Sequence, residues 1–260
     1  MSKVNTLFAL DENVAVAIGA GGVLAGAMAA ALGEAGARVA ILDLNLKAAE
    51  ARAEKICKEH DVETMAIQVD ATKKAALEKA KIQILEKWGR IDILLNAPGI
   101  NSGTPFFEIE ESEWDKILEV NLKSMFLACQ VFGEVMVKSG KGGSIINISS
   151  ASSGPPLTKV FTYSISKAGV NNLTQFLASE WAPHNVRVNA IAPGFFPAEQ
   201  NRKLLTEERT EDILRHTPMG RFGEAEELAG AVIWLASRNA SSFVTGAVIR
   251  VDGGFTAKTI

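Results

Sequence analysis

Apolar and polar positions follow one another along the chain in blocks of two lengths. Short, nearly unbroken apolar runs occur at Val14 to Ile18, Val39 to Leu42, Thr64 to Val69, Ile91 to Leu95, Ser144 to Ile148, Val186 to Ile191 and Ala247 to Val251. Runs of this length, apolar on both faces and bounded by glycine or polar residues, suit strands buried in a parallel sheet. Longer stretches of helical length lie between them, at Ala27 to Leu32, Leu46 to Glu59, Lys73 to Trp88, Ser112 to Val137, Tyr163 to Trp181 and Ala225 to Ser237. The first is rich in alanine and should end at Gly33 or Gly36. Strand and helix alternate throughout, which predicts an α/β fold with a doubly wound parallel sheet and helices on both faces. No linker, repeat or composition shift interrupts the order, so residues 1–260 read as a single domain.

Composition narrows the classes. With 47% hydrophobic and 22% charged residues the chain has the apolar matter for a sizeable core. Its net charge of −3 carries no basic excess of the kind that selects phosphate backbones, which argues against a nucleic-acid partner. None of the apolar runs reaches the roughly 18–20 residues needed to span a bilayer, so no membrane is expected. Met1 to Asp11 lacks a basic segment followed by an apolar one, as a secretory signal would have. Cys57 and Cys129 stand outside any CxxC and read as small buried hydrophobes of a reducing compartment. A cytoplasmic protein is the expectation. His60, His184 and His216 are scattered without metal-ligand spacing, so no metal is expected.

Two places carry candidate chemistry. Gly19-Ala20-Gly21-Gly22 lies between the first strand and first helix, where a dinucleotide pyrophosphate meets a helix N-terminus. A glycine-rich turn there is often only a turn. Asp43 strengthens the cofactor reading, because it ends the second strand 24 residues past Gly19, where a carboxylate can accept both ribose hydroxyls of NAD. The same carboxylate would repel a 2′-phosphate, and Leu44 beside it offers no cation, so NAD is favoured over NADP. The second place is Tyr163-Ser164-Ile165-Ser166-Lys167, whose spacing puts Tyr163 and Lys167 on one helical face. An ammonium about 4 Å from the phenol would contribute about 4 kcal/mol at an effective dielectric near 20, lowering its pKa by up to ~3 units. Any helix can carry Tyr and Lys four apart, so the pair alone does not decide.

The motifs in register do. The glycine turn at Gly19, Asn96-Ala97-Pro98-Gly99, Asn121, Ser149-Ser150, Tyr163 with Lys167, and Val251-Asp252-Gly253-Gly254 resemble, in order and spacing, the short-chain dehydrogenase/reductase family. The resemblance runs from about Val14 to Gly254 and implies a Rossmann-like fold and a nicotinamide-dependent oxidoreductase. It implies Tyr163 as the acid/base, Lys167 lowering its pKa and binding the nicotinamide ribose, Ser150 orienting the substrate oxygen, and Asn121 holding a water in a proton relay. Ser149 reads as structural. For the cofactor it implies Gly19, Gly22, Leu24, Asp43, Asp70, Asn96, Tyr163, Lys167 and Pro193. Asp70 fits two readings, an acid against the adenine or an N-cap for the helix beginning near Thr72. A homotetramer, with the helices after Asn101 and Tyr163 packed across subunits, is implied as well, as is a substrate lid at about 195–220 with Glu207 to Asp212 on its solvated face.

The sequence also departs from the family pattern. Val23 and Ala25 stand where glycines are usual, so the turn should follow another path with Gly22 taking one role. Pro98 removes a backbone N–H, and Ala198 replaces a threonine expected against the nicotinamide carboxamide. Val23-Leu24, Pro156 to Val160, Pro193 to Phe196 and Glu199 to Arg202 resemble a subgroup of mannonate/fructuronate oxidoreductases, which implies a sugar acid with its carboxylate held by Lys159, Arg202 or both. The competing functions are a 3-oxoacyl thioester reductase and a non-catalytic nucleotide-binding regulator on the same fold.

Overall fold

The computed structural model describes residues 3–197 and 206–258. Ala198, Glu199 to Arg202 and the lid interior therefore lie outside the described residues. Seven strands form one parallel sheet in the order β3-β2-β1-β4-β5-β6-β7, with β1 Val14–Ile18, β2 Arg38–Asp43, β3 Thr64–Gln68, β4 Ile93–Asn96, β5 Gly143–Ile148, β6 Val186–Pro193 and β7 Val248–Val251. Every residue of β1 and β6 is buried, as strands covered on both faces require. Alternate residues of β1 enter opposite layers: Ala15 and Ala17 pack in one core, Val14, Val16 and Ile18 in the other.

The first layer is closed by α2 Val23–Glu34, α3 Leu46–His60 and α9 Ala229–Ala236, through residues such as Met28, Leu32, Ile56 and Leu235. The second is closed by α4 Lys74–Trp88, α6 Ser124–Ser139 and α7 Phe161–Trp181, through Leu77, Ile84, Phe132 and Leu177. Gly33 does not end α2. It lies inside the helix where a Cβ would meet Ile56 at 2.7 Å, and Gly36 (φ +101°) makes the turn. The stretch expected as one helix from Ser112 comprises α5 Glu111–Leu118, a π-helical turn Glu119–Lys123 and α6. This continuous run is long and apolar enough to cross a membrane, but the buried Met125, Val131 and Met136 show its apolar face spent on the core.

Cys129 is buried as expected, whereas Cys57 is exposed. The buried stripe of α3 is Ala49, Ala53 and Ile56, and one residue further round the helix points to water. Two helices complete the described chain besides the short α10 Arg238–Ser241: α1 Lys3–Phe8 and α8 Glu207–His216. The Ser237 hydroxyl, at the junction of α9 and α10, donates to the Leu7 carbonyl at 2.7 Å and fastens α1 to that junction.

Candidate active site

Parallel strands present their C-terminal ends on one edge, and the strand order reverses between β1 and β4, where a crevice opens. A cleft of about 830 Å³ lies there, bringing together Gly19, Gly22, Leu24, Asp43, Asp70, Ser150, Tyr163, Lys167 and Pro193. On the β1 side, Gly19 has φ +75°, and a Cβ on it would lie 3.1 Å from the Ala97 carbonyl oxygen. Both the backbone and the space therefore demand glycine. Gly22 takes the N-cap of α2 at φ −71°, with no side chain capping the first N–H groups, and Val23 opens the helix without a left-handed residue. Uncapped N–H groups at a cleft-facing helix start suit a diphosphate. The departures from the glycine pattern thus cost no strain.

Asp43 ends β2 with both carboxylate oxygens fixed: Oδ2 accepts the Gly21 N–H at 3.0 Å and Oδ1 the Asn45 N–H at 2.9 Å. Asp70 also lines the cleft. It accepts from the Thr72 hydroxyl at 2.7 Å and the Thr72 N–H at 2.9 Å, and the hydroxyl bond chiefly holds its carboxyl below the usual range. The N-cap of α4 is Lys73, so Asp70 does not cap that helix. Asn96 is not a lining residue. Its fully buried amide donates to the Met125 carbonyl at 3.1 Å and the Asn147 side chain at 3.1 Å, so it ties β4 to α6 and β5. Ala97, Pro98 and Gly99 face the cleft in its place.

Tyr163 and Lys167 stand one turn apart on α7, with Nζ 5.6 Å from the phenol ring centroid and donating to the Ile148 carbonyl at 2.8 Å. Ser150 caps a short turn through the Ser152 N–H at 3.2 Å, and its hydroxyl lies close to the Tyr163 phenol. The expected lowering of the Tyr163 pKa is absent. Burial pushes the phenol above its ordinary value, with the Ser150 hydroxyl opposing it, and burial lowers Lys167 to about 7. Desolvation disfavours both charged forms, and for the phenol it outweighs the nearby lysine.

Asn121 lies fully buried in the π-helical turn, a distortion frequent at functional sites. Its side chain accepts the Ile100 N–H at 2.8 Å and donates to the Ile100 carbonyl at 2.9 Å and to Ser166 Oγ at 3.0 Å. Ser166 Oγ donates in turn to the Tyr163 carbonyl at 2.6 Å. Both amide hydrogens are spent on protein, so this side chain positions the loop after β4 against the first turn of α7. Ser149 is structural as expected, its hydroxyl donating to Asn171 Oδ1 at 2.6 Å.

On the opposite wall the expectations diverge from the structure. Lys159 is exposed at φ +68° and does not line the cleft, while Leu157 and Val160 around it do. Arg202 lies outside the described residues. Among the described residues, the cation on this wall is Arg209 of α8, which sequence reasoning missed because nothing local separates it from Arg215 one or two turns on. Phe195, Phe196 and Phe222 complete the wall.

With this geometry in view, the likeness to known proteins is specific. The family described as enoyl-(acyl carrier protein) reductase matches residues 19–256. The NAD-dependent glycerol dehydrogenase of Listeria innocua is 38% identical, over 96% of this chain and 96% of its own. A Haemophilus structure provisionally described as a D-mannonate oxidoreductase, with bound NAD, superimposes with a TM-score of 0.90 at 35% identity, over 99% of each chain. An Agrobacterium tumefaciens structure provisionally described as a 2-deoxy-D-gluconate 3-dehydrogenase, with bound NADP, gives 0.88 at 33% identity, over 96% of this chain and 99% of its own. The chain belongs to the short-chain dehydrogenase/reductase family, as a nicotinamide-dependent oxidoreductase.

Proposed function

We propose that the protein interconverts a secondary alcohol and a ketone on a sugar acid, with NAD(H) as its cofactor. The observation that carries this is one cleft holding Asp43 at one end, Ser150, Tyr163 and Lys167 at its floor, and an arginine on the facing wall. Gly19, the N-terminus of α2 and Asp43 would hold the cofactor, which when bound accepts or supplies the hydride. Ser150 holds the substrate oxygen and steadies charge developing on it. Tyr163 takes the hydroxyl proton in oxidation and returns it in reduction. In the protein alone its raised pKa keeps the phenol protonated at neutral pH, as a proton donor to a ketone must be. Lys167 orients the ribose and supplies positive charge when protonated.

The fixed carboxylate of Asp43 supports NAD over NADP, and the NAD-holding Haemophilus relative agrees, though the Agrobacterium one holds NADP. Neutral polyols are the second reading, favoured by the glycerol dehydrogenase likeness. Exposed Phe126 on α6 and Phe176 on α7 support packing against further copies, as in a homotetramer, and we place the protein in the cytoplasm.

The test is turnover across aldonates, hexuronates, polyols and a 3-oxoacyl thioester with NAD(H) and NADP(H), for the parent and Tyr163→Phe. Sugar acids with NAD(H) should lead, and the variant should lose about 10²–10⁴ in rate while still binding NADH. A variant within threefold of the parent would remove Tyr163 from the chemistry, and a parent faster on the thioester would replace the substrate class.

A further inference from the structure

The charged side chains around the cleft fall into three groups. Asp43 and Asp70 mark one end, with Lys116 close enough to Asp70 to help lower its pKa. Lys167 sits at the floor, engaged with the Ile148 carbonyl. Arg209 stands apart on the wall formed by Phe195, Phe196, Phe222, Leu157 and Val160.

Arg209 is half-buried, and among the described residues it meets no carboxylate. Arg221 and Arg215, the other described arginines of this region, each hold an acid, Glu227 and Asp212 respectively. The recorded contact of Arg209 is one N–H donated to the Thr158 carbonyl at 3.1 Å. That bond ties α8 to the loop entering α7, five residues before Tyr163. A guanidinium carries five donors in a planar fork, so most of them are left for a ligand. It is pinned by a neutral carbonyl and flanked by aromatic and aliphatic side chains. In such surroundings a charge-assisted pair with a planar anion is stronger than in open water.

We propose that Arg209 is the carboxylate-recognition residue of this site, gripping the acid group of the sugar acid while Ser150 and Tyr163 hold its reacting oxygen. The assignment rests on the sugar-acid reading above and sharpens it. Of the two cations expected, Lys159 stands outside the cleft and Arg202 outside the described residues, and the assignment places a cation on the neighbouring helix α8, with the Thr158 bond setting the direction of the fork. The Arg209–Thr158 bond also makes the grip depend on the loop that delivers Tyr163, so the acid end and the reacting end of the substrate are gauged against the same stretch of backbone.

The experiment compares matched pairs of substrates, D-gluconate with D-sorbitol and D-mannonate with D-mannitol, using the parent, Arg209→Gln and Arg209→Lys. The readout is the ratio of kcat/KM for acid over polyol. In Arg209→Gln, which keeps a donor for Thr158 but loses the charge, the ratio should fall about 10–150-fold, chiefly through KM of the acid. Arg209→Lys keeps a point charge without the fork and should fall only several-fold; it also carries the test alone if Arg209→Gln does not fold. An unchanged ratio in both variants, or equal losses on acids and polyols, overturns the assignment while leaving the sugar-acid reading intact. A parent that oxidises the polyols and none of the acids overturns the sugar-acid reading, and the assignment with it.

Discussion

The two walls of the cleft are built differently. The cofactor wall is made of sheet and of α2, which buries seven of its residues, and its Asp43 carboxylate is held by two backbone N–H groups. The facing wall is made of loops and of α8, which buries Ile213 alone and anchors Arg209 through a single carbonyl. Segments with few buried apolar contacts open at lower free energy than core elements. The cofactor wall is thus set before binding, and the substrate wall is the one free to adapt. Such a division lets one scaffold keep its cofactor while the substrate changes.

The comparison breaks first at Asp43. Asp43→Ala removes the ribose acceptor and the repulsion toward a 2′-phosphate together, so NADH should bind about 10–150-fold more weakly and discrimination against NADPH should narrow. NADH affinity within twofold of the parent, measured by fluorescence titration, would mean the wall does not grip through this carboxylate.

Lys167 sharpens the comparison through pH. Its folded-state pKa, about 7, lies below the ordinary lysine value, so between pH 7 and 10 the unfolded chain binds more protons than the folded one. Stability from this group therefore rises with pH across that window, and below about pH 7 the penalty for burying the ammonium is carried in full. At about 1.4 kcal/mol per pH unit the melting temperature should gain roughly 3–6 °C per unit relative to Lys167→Met between pH 7 and 9. Parallel curves for the two proteins would show that Lys167 is solvated.

The smallest effect belongs to Lys159. Exposed and outside the cleft, it should tolerate Lys159→Ala within about twofold on acids and polyols alike. A selective tenfold loss on acids would return the carboxylate site to the loop before α7, one of the two places the resemblance implied.

Strand positions were legible to within a residue or two because buried parallel strands are continuous apolar runs, and β1 matches its expectation end to end. Gly19, Asp43, Tyr163 and Lys167 were legible for a related reason: each role needs one residue type at a fixed point of a local motif. The misses share a different cause. Whether Asn96 faces the cleft or α6 and whether Lys159 enters the cleft depend on contacts between segments remote in sequence, as does the place of Arg209 in it. The direction of the Tyr163 shift was missed likewise, because spacing gives the distance to Lys167 and says nothing of how deeply both are buried.

The clasp between Ser237 and Leu7 spans 230 residues, so it sets the order in which the protein can finish itself. A chain leaving the ribosome N-terminus first exposes α1 long before its partner is synthesised, while Gly19 and Asp43 already lie beside strands that can pair. Contacts of such long separation close late, after the local ones have reduced the entropy of the loop between them. The first helix of the protein is thereby among the last to be secured, and a nascent chain interrupted before Ser237 would display a cofactor wall with its own N-terminus still loose.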